Sequence, residues 1–187
     1  EKMHHQMVFA VIAVLGIAHG AVLSSPPAAC TSLPAAYEGK LVGDNDAGAG
    51  EAVFELDGDA DDYYEPGVTY EFEIEKSEFT DFIRHFQVTA SVVDDSNAAC
   101  QSAGSFGGLV VGGPEPRHGC PQVVEWAAAR EGDEMTQFTW TAPDCGCINL
   151  RAHVLSTADL LYHGVVAVDG LLSLTLCPHD DDTDEAV

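Results

Sequence analysis

A strict alternation of apolar and charged side chains is the feature that most limits what this chain can fold into. Residues 70–75 read Tyr-Glu-Phe-Glu-Ile-Glu, and the turn signal Pro66-Gly67 comes shortly before them. Successive side chains of a β-strand point to opposite faces, so the apolar half can enter a core while the glutamates face water. The pattern therefore predicts a strand with one buried face.

The same period of two recurs along the chain, whereas helical periodicity is weak. The segment 122–130 fits a helix, and equally a strand followed by a loop. Strands of this length between turns predict an all-β fold, an antiparallel β-sandwich of about 7–9 strands. The further strand candidates are residues 52–56, 86–92, 109–111, 138–141, 148–154, 165–168 and 171–176.

The N-terminal segment has the pattern of a secretory signal peptide. Met7 begins an apolar run of 12 residues without charge, Lys2 precedes the run, and Ala18-His19-Gly20 offers small residues for cleavage. We predict a signal peptide at residues 1–20 and a secreted, extracellular protein. The run is too short to span a bilayer and no other run reaches 18 residues, so no membrane segment is expected in the mature chain.

Charge limits the partners of the mature chain. The sequence has 31 acidic against 7 basic residues, a formal net charge of −24, and 46% apolar residues. The apolar content is enough for a core, but the charge argues against binding nucleic acid or an anionic membrane unaided. Residues 178–187 are acidic and aperiodic, and they are predicted to form a disordered tail.

Four aspartates form an acidic cluster before the first alternating strand. Asp57, Asp59, Asp61 and Asp62 resemble the first half of an EF-hand loop, but Asp62 and Val68 stand where that loop needs Gly and Glu. A solvated acidic turn is the simpler interpretation. The alternative is a weak Ca²⁺ site on these carboxylates.

The six cysteines predict disulfides. An even number in an exported chain favours three bridges, and the residues alone leave all 15 pairings open. A metal site on Cys145 and Cys147 with His118 or His153 is a weaker alternative, because zinc sites usually space their cysteine pairs more widely. The cysteines are Cys30, Cys100, Cys120, Cys145, Cys147 and Cys177.

Several short motifs, in one order, resemble the reeler (reelin N-terminal) domain family. Together with Cys30 they cover nearly the whole mature chain. His85 replaces a usual glycine of the family, and residues 123–126 replace a polar element after the second cysteine. The matching segments are Pro66–Tyr70 (P-G-x-x-Y), Phe82–Ala90, Gly104–Phe106 (G-x-F), Phe138–Pro143 (W-x-A-P) and Cys147–Ala152.

The resemblance implies a reeler-like domain at residues 21–177 with an immunoglobulin-like sandwich. It implies the disulfides Cys30–Cys120 and Cys147–Cys177, which leaves Cys100 and Cys145 to pair with each other. A reeler domain standing alone behind a signal peptide resembles the short insect defence proteins of the noduler type. That resemblance implies innate-immune binding of a microbial surface polysaccharide or glycolipid.

Three residues are the candidate ligand contacts. Arg117 and His118 lie in a Gly-rich segment that has few acids, and Trp126 is the better candidate of the two tryptophans for an exposed contact, with Trp140 in the core. His153 and His163 are expected to be surface strand residues.

No Ser, Cys or His arrangement suggests catalysis, so we expect no enzyme activity. The alternative to immune recognition is an acidic extracellular matrix or calcium-associated structural protein.

Overall fold

The computed structural model describes residues 30, 32–43, 54–60, 62–76, 81–93, 100, 102–164 and 171–179. The predicted signal peptide, the strand expected at 165–168 and residues 180–187 of the predicted tail lie outside the described residues. Within the described part, no helix is long and apolar enough to cross a membrane.

The described residues form two β-sheets and one short 3-10 helix at Ala35–Tyr37. Nine of the strands have four or more residues, in agreement with the predicted sandwich. The strands are β1 (Leu41–Val42), β2 (Phe54–Gly58), β3 (Tyr63–Tyr64), β4 (Thr69–Lys76), β5 (Ile83–Val92), β6 (Ser105–Gly108), β7 (Glu115–Arg117), β8 (Cys120–Glu125), β9 (Met135–Thr141), β10 (Ile148–Ser156), β11 (Leu160–His163) and β12 (Ser173–Pro178).

The smaller sheet has the strand order β2-β4-β9-β6, and all its pairs are antiparallel. Phe72 and Ile74 of β4 are buried, while Glu71 and Glu75 are exposed, as the alternation predicts. The outer face of this sheet is therefore acidic and its inner face is apolar.

The larger sheet has the order β1-β11-β10-β5-β8-β7, and β12 pairs with the first half of β10 and with β3. Two of its short pairs, β1 with β11 and β3 with β12, are parallel. The long strands β5 and β10 lie at its centre and send Phe86, Val88, Leu150 and Ala152 into the core.

Aromatic rings join the two sheets. Phe138 of β9 stacks on Phe72 of its own sheet and on Phe86 of the opposite sheet, with ring centroids 6.1 Å apart in both cases. Trp140 is fully buried, and its Nε1 donates to the carbonyl of Ala103 at 2.9 Å. The core position predicted for Trp140 is confirmed.

Three disulfides fix the ends of the sandwich, with the pairing that the family resemblance implies. Cys30–Cys120 attaches the N-terminal segment to β8, Cys147–Cys177 joins the start of β10 to β12, and Cys100–Cys145 links the segments before β6 and β10. These bonds leave no free cysteine for the alternative metal site.

Several strand boundaries differ from the sequence prediction. Residues 120–125 form strand β8, and a loop follows. Of the two interpretations of residues 122–130, the strand followed by a loop is therefore confirmed, and the helix is wrong. The edge strand expected at 109–111 is wrong, because β6 ends at Gly108 and a turn follows in which Gly113 N donates to Val110 O. Strand β12 includes Pro178, and His179 N donates to Tyr64 O, so the predicted tail begins inside the sandwich.

Replacing the central tryptophan tests the core. Trp140→Ala should lower the free energy of unfolding by about 3–5 kcal/mol, because it leaves a cavity between the sheets. Met135→Ala, at an exposed position of the same strand, is the matched control. Denaturant unfolding measures both variants, and a loss below about 1 kcal/mol for Trp140→Ala would contradict its place in the core.

Removing the first disulfide tests the attachment of the N-terminal segment. Cys30→Ser should cost about 2–5 kcal/mol of stability, since the bridge closes a long loop. The double variant Cys30→Ser/Cys120→Ser removes the same bond and should cost about as much. A double variant that is far less stable than the single one would mean that the two cysteines act separately.

Candidate binding site

The strands β6, β7 and β8 carry the residues that the sequence nominates for ligand contact. A loop of residues 109–114 connects β6 to β7, and a tight turn at His118 and Gly119 connects β7 to β8. Gly119 has φ +75°, the left-handed conformation that such a turn requires and that glycine adopts without strain. This segment, residues 105–126, runs from the edge of the smaller sheet to the edge of the larger one.

Arg117 holds the N-terminal segment against this edge. Its Nε and Nη2 donate to the two carboxylate oxygens of Glu125, and its Nη1 donates to the carbonyl of Ser32 at 2.8 Å. The hydrogen bonds that Arg117 donates to Glu125 raise the pKa of Arg117. Only 16% of the side chain is exposed, so Arg117 is engaged in a bidentate structural ion pair.

His118 and Trp126 have opposite environments. His118 is exposed in the β7–β8 turn and remains a candidate contact. Trp126 is only 3% exposed, and it packs edge-to-face on Phe86 at 5.0 Å. The expectation that Trp126 is exposed is wrong, because it follows Val124 by two residues and shares its inward face.

An exposed apolar tip lies between β6 and β7, and the sequence reasoning missed it. Leu109, Val110 and Val111 expose 37%, 67% and 108% of their surface. Arg130 donates from Nη2 to the carbonyl of Gly112 beside the tip, and its guanidinium lies 4.4 Å from the ring of Trp126. The sequence Gly-Gly-Leu-Val-Val-Gly-Gly at 107–113 is the signal that could have indicated this tip.

The predicted acidic cluster borders a shallow pocket on the outer face of the smaller sheet. Asp57 and Asp59 line it together with Glu71, Glu73 and Leu109, and its volume is about 190 Å³. Asp59 Oδ1 accepts a hydrogen bond from the backbone N of Glu71 at 2.8 Å. Asp57 lies directly opposite Glu73 on the neighbouring strand.

Of the other two aspartates of the predicted cluster, the structure describes Asp62, which does not line this pocket. Asp62 is exposed in the bend that precedes β3, and Asp61 lies outside the described residues. No group of three or more His, Cys, Asp or Glu side chains is placed to hold a metal ion in the described part of the chain. The pocket therefore offers a concentration of negative charge without a closed coordination shell.

One of the two histidines that the sequence places on the surface of the larger sheet is buried. His153 is only 6% exposed, so its expected surface position is wrong, whereas His163 is exposed as expected. The two residues are directly paired across β10 and β11, with ring centroids 6.1 Å apart. Burial, and to a smaller extent Arg151 and His163, lowers the pKa of His153 to about 4.

The lowered pKa predicts an acid-sensitive fold. His153 is neutral in the folded protein down to a pH near 4, while an unfolded histidine binds a proton below about pH 6.5. The unfolded state then binds more protons, so this contribution to stability is complete above about pH 6.5 and is lost as the pH falls towards 4. Denaturant unfolding at several pH values should show a steeper fall for the wild type than for His153→Leu. Equal slopes would contradict the lowered pKa.

Comparison with known proteins supports the fold. No family model and no curated protein matches the chain. The reelin-N domain of F-spondin superposes with a TM-score of 0.57 at 23% identity, over 70% of this chain and 89% of that domain. The fold is that of a reeler domain. A structure of the human F-spondin reeler domain gives the same TM-score and identity over 70% of this chain and 91% of that one.

The three disulfides of this chain are consistent with an extracellular protein, because such bonds persist in oxidising compartments. At 23% identity the likeness to F-spondin establishes the architecture alone.

Proposed function

We propose that this protein is a secreted recognition protein that binds microbial surface glycolipids or glycans in innate immunity. The reeler fold, the disulfides and the predicted signal peptide support an extracellular role. The resemblance of the sequence to stand-alone defence proteins of the noduler type supports the immune context. Binding, rather than catalysis, is the proposed activity.

The exposed apolar tip carries this proposal and favours glycolipids within it. Three consecutive apolar side chains, Leu109 to Val111, stand in solvent on a loop whose end is tied to Arg130. Exposed apolar patches on soluble proteins commonly mark binding surfaces. Burying one such side chain fully yields about 1.5–3 kcal/mol, so the tip suits a ligand that has an acyl chain.

The charge around the tip decides how an anionic glycolipid is approached. A net charge of −24 repels anionic headgroups, but screening reduces this effect beyond about 8 Å at physiological salt. Arg130 lies beside the tip and His118 is exposed in the neighbouring turn. Arg117 acts on the tip indirectly, because its ion pair with Glu125 fixes strand β7, which follows the loop.

Charging the tip tests the proposal. Val111→Asp should weaken sedimentation of the protein with lipopolysaccharide-bearing vesicles at least about tenfold, because a carboxylate resists transfer into an acyl layer. Val68→Asp, at an exposed position in another turn, is the matched control and should bind like the wild type. Insoluble neutral glucan, assayed in parallel, separates glycan binding from lipid binding.

The outcomes distinguish the candidate ligands. Loss of vesicle binding in Val111→Asp with unchanged glucan binding supports the glycolipid. Equal binding of Val111→Asp and Val68→Asp to vesicles would contradict a role for the tip. Vesicle binding that disappears on chelation of Ca²⁺ would favour the acidic face as the contact surface.

The acidic face favours a second function, that of a calcium-associated extracellular matrix protein. Asp57 is directly opposite Glu73, and Glu55 is directly opposite Glu75, on the outer face of β2 and β4. Like charges in direct cross-strand pairs are destabilising, and a bound cation would relieve them. Ca²⁺, which prefers oxygen ligands, is the cofactor that this alternative requires.

A further inference from the structure

Unpaired buried polar atoms concentrate on the outward face of strands β5 and β10. Of the seven buried side-chain atoms that have no hydrogen-bond partner among the described residues, five belong to this face. They are Gln87 Oε1, Asn149 Oδ1, Arg151 Nε and both ring nitrogens of His153. Buried polar groups are nearly always paired, and exceptions commonly mark an ion or water site.

The neighbouring histidine of the same face is fully integrated into the fold. His85 Nδ1 lies 3.1 Å from the hydroxyl of Tyr37, whose ring packs against it edge-to-face at 5.4 Å. The Tyr37 hydroxyl also donates to the carbonyl of His153 at 3.2 Å. The described part of the N-terminal segment thus provides a partner for the side chain of His85 and none for the ring of His153.

His153 has two potential metal-ligating side chains as its direct cross-strand neighbours. His153 is directly opposite His163 on β11 and directly opposite Gln87 on β5. The imidazole rings of the two histidines are nearly parallel, at 19°, with centroids 6.1 Å apart. His163 is exposed, so the cluster opens to solvent on that side.

We infer that His153 and His163 bind a divalent transition metal ion, with Gln87 Oε1 and solvent completing the coordination. Neutral imidazole suits Zn²⁺ and Cu²⁺ and is a poor ligand for Ca²⁺, so this site is distinct from the acidic face in place and in metal. It is also independent of the proposed glycolipid binding, because its residues lie on β5, β10 and β11, whereas the tip lies between β6 and β7.

The charges around the site act in opposite directions. Arg151, on the same face of β10, repels a cation. The net charge of −24 acts in favour of cations over the whole surface.

The test is a calorimetric titration of the secreted chain with Zn²⁺ and with Cu²⁺. His163→Ala should weaken binding at least about tenfold, since even the partners of metal ligands contribute that much. His118→Ala, which removes an exposed histidine from another turn, is the matched control and should bind as the wild type does. Cu²⁺ paramagnetic resonance should show coupling to two imidazole nitrogens, one of which is lost in His163→Ala.

His153→Leu provides a second variant that separates the metal site from simple packing. The metal site predicts that Zn²⁺ raises the melting temperature of the wild type but not of His153→Leu. Equal Zn²⁺ affinity in His163→Ala and His118→Ala, or an equal Zn²⁺-dependent rise in His153→Leu, would overturn the inference. Vesicle binding of His163→Ala and His153→Leu should equal that of the wild type, so failure here leaves the proposed function unaffected.

Discussion

The antiparallel pairing of β5 with β10 is the contact on which the rest of the sandwich depends. Nine residue pairs join the two strands, from Ile148 opposite Val92 to Ser156 opposite Ile83. The other edge of β10 pairs with β12 along its first half and with β11 along its second half, so β10 pairs with three strands in all. Strands β5 and β10 are far apart in sequence, so their pairing has to overcome a large loss of chain entropy. The apolar inner face of both strands provides the free energy for it.

The disulfides and Arg117 fix chain segments that the pairing of β5 with β10 does not fix. Cys30–Cys120 and the hydrogen bond from Arg117 to Ser32 attach the N-terminal segment to the outer face of the larger sheet. That segment buries Tyr37 against His85 and ends in β1, which pairs with β11. One outer face is therefore covered and contains buried polar groups, while the other is open and acidic.

This difference between the two faces explains where the candidate sites lie. The open face bears the acidic pocket, with Leu109 of the apolar tip at its border. The covered face contains the ring of His153, which has no hydrogen-bond partner among the described residues. The candidate ligand surfaces therefore lie at the tip, on the acidic face and at the histidine pair.

The sequence by itself determined which side chains of each strand face inwards, because alternation is a local property of the backbone. It therefore predicted the buried Phe72 and Trp140, and the family resemblance supplied the disulfide pairing. Only the tertiary structure decided which strands are neighbours and what covers each face. His153 and His163 became a pair through the register of β10 and β11, and Trp126 became a core residue through the inward face of β8. Periodicity reports the side on which a residue lies, but burial and pairing depend on chain segments far away in sequence.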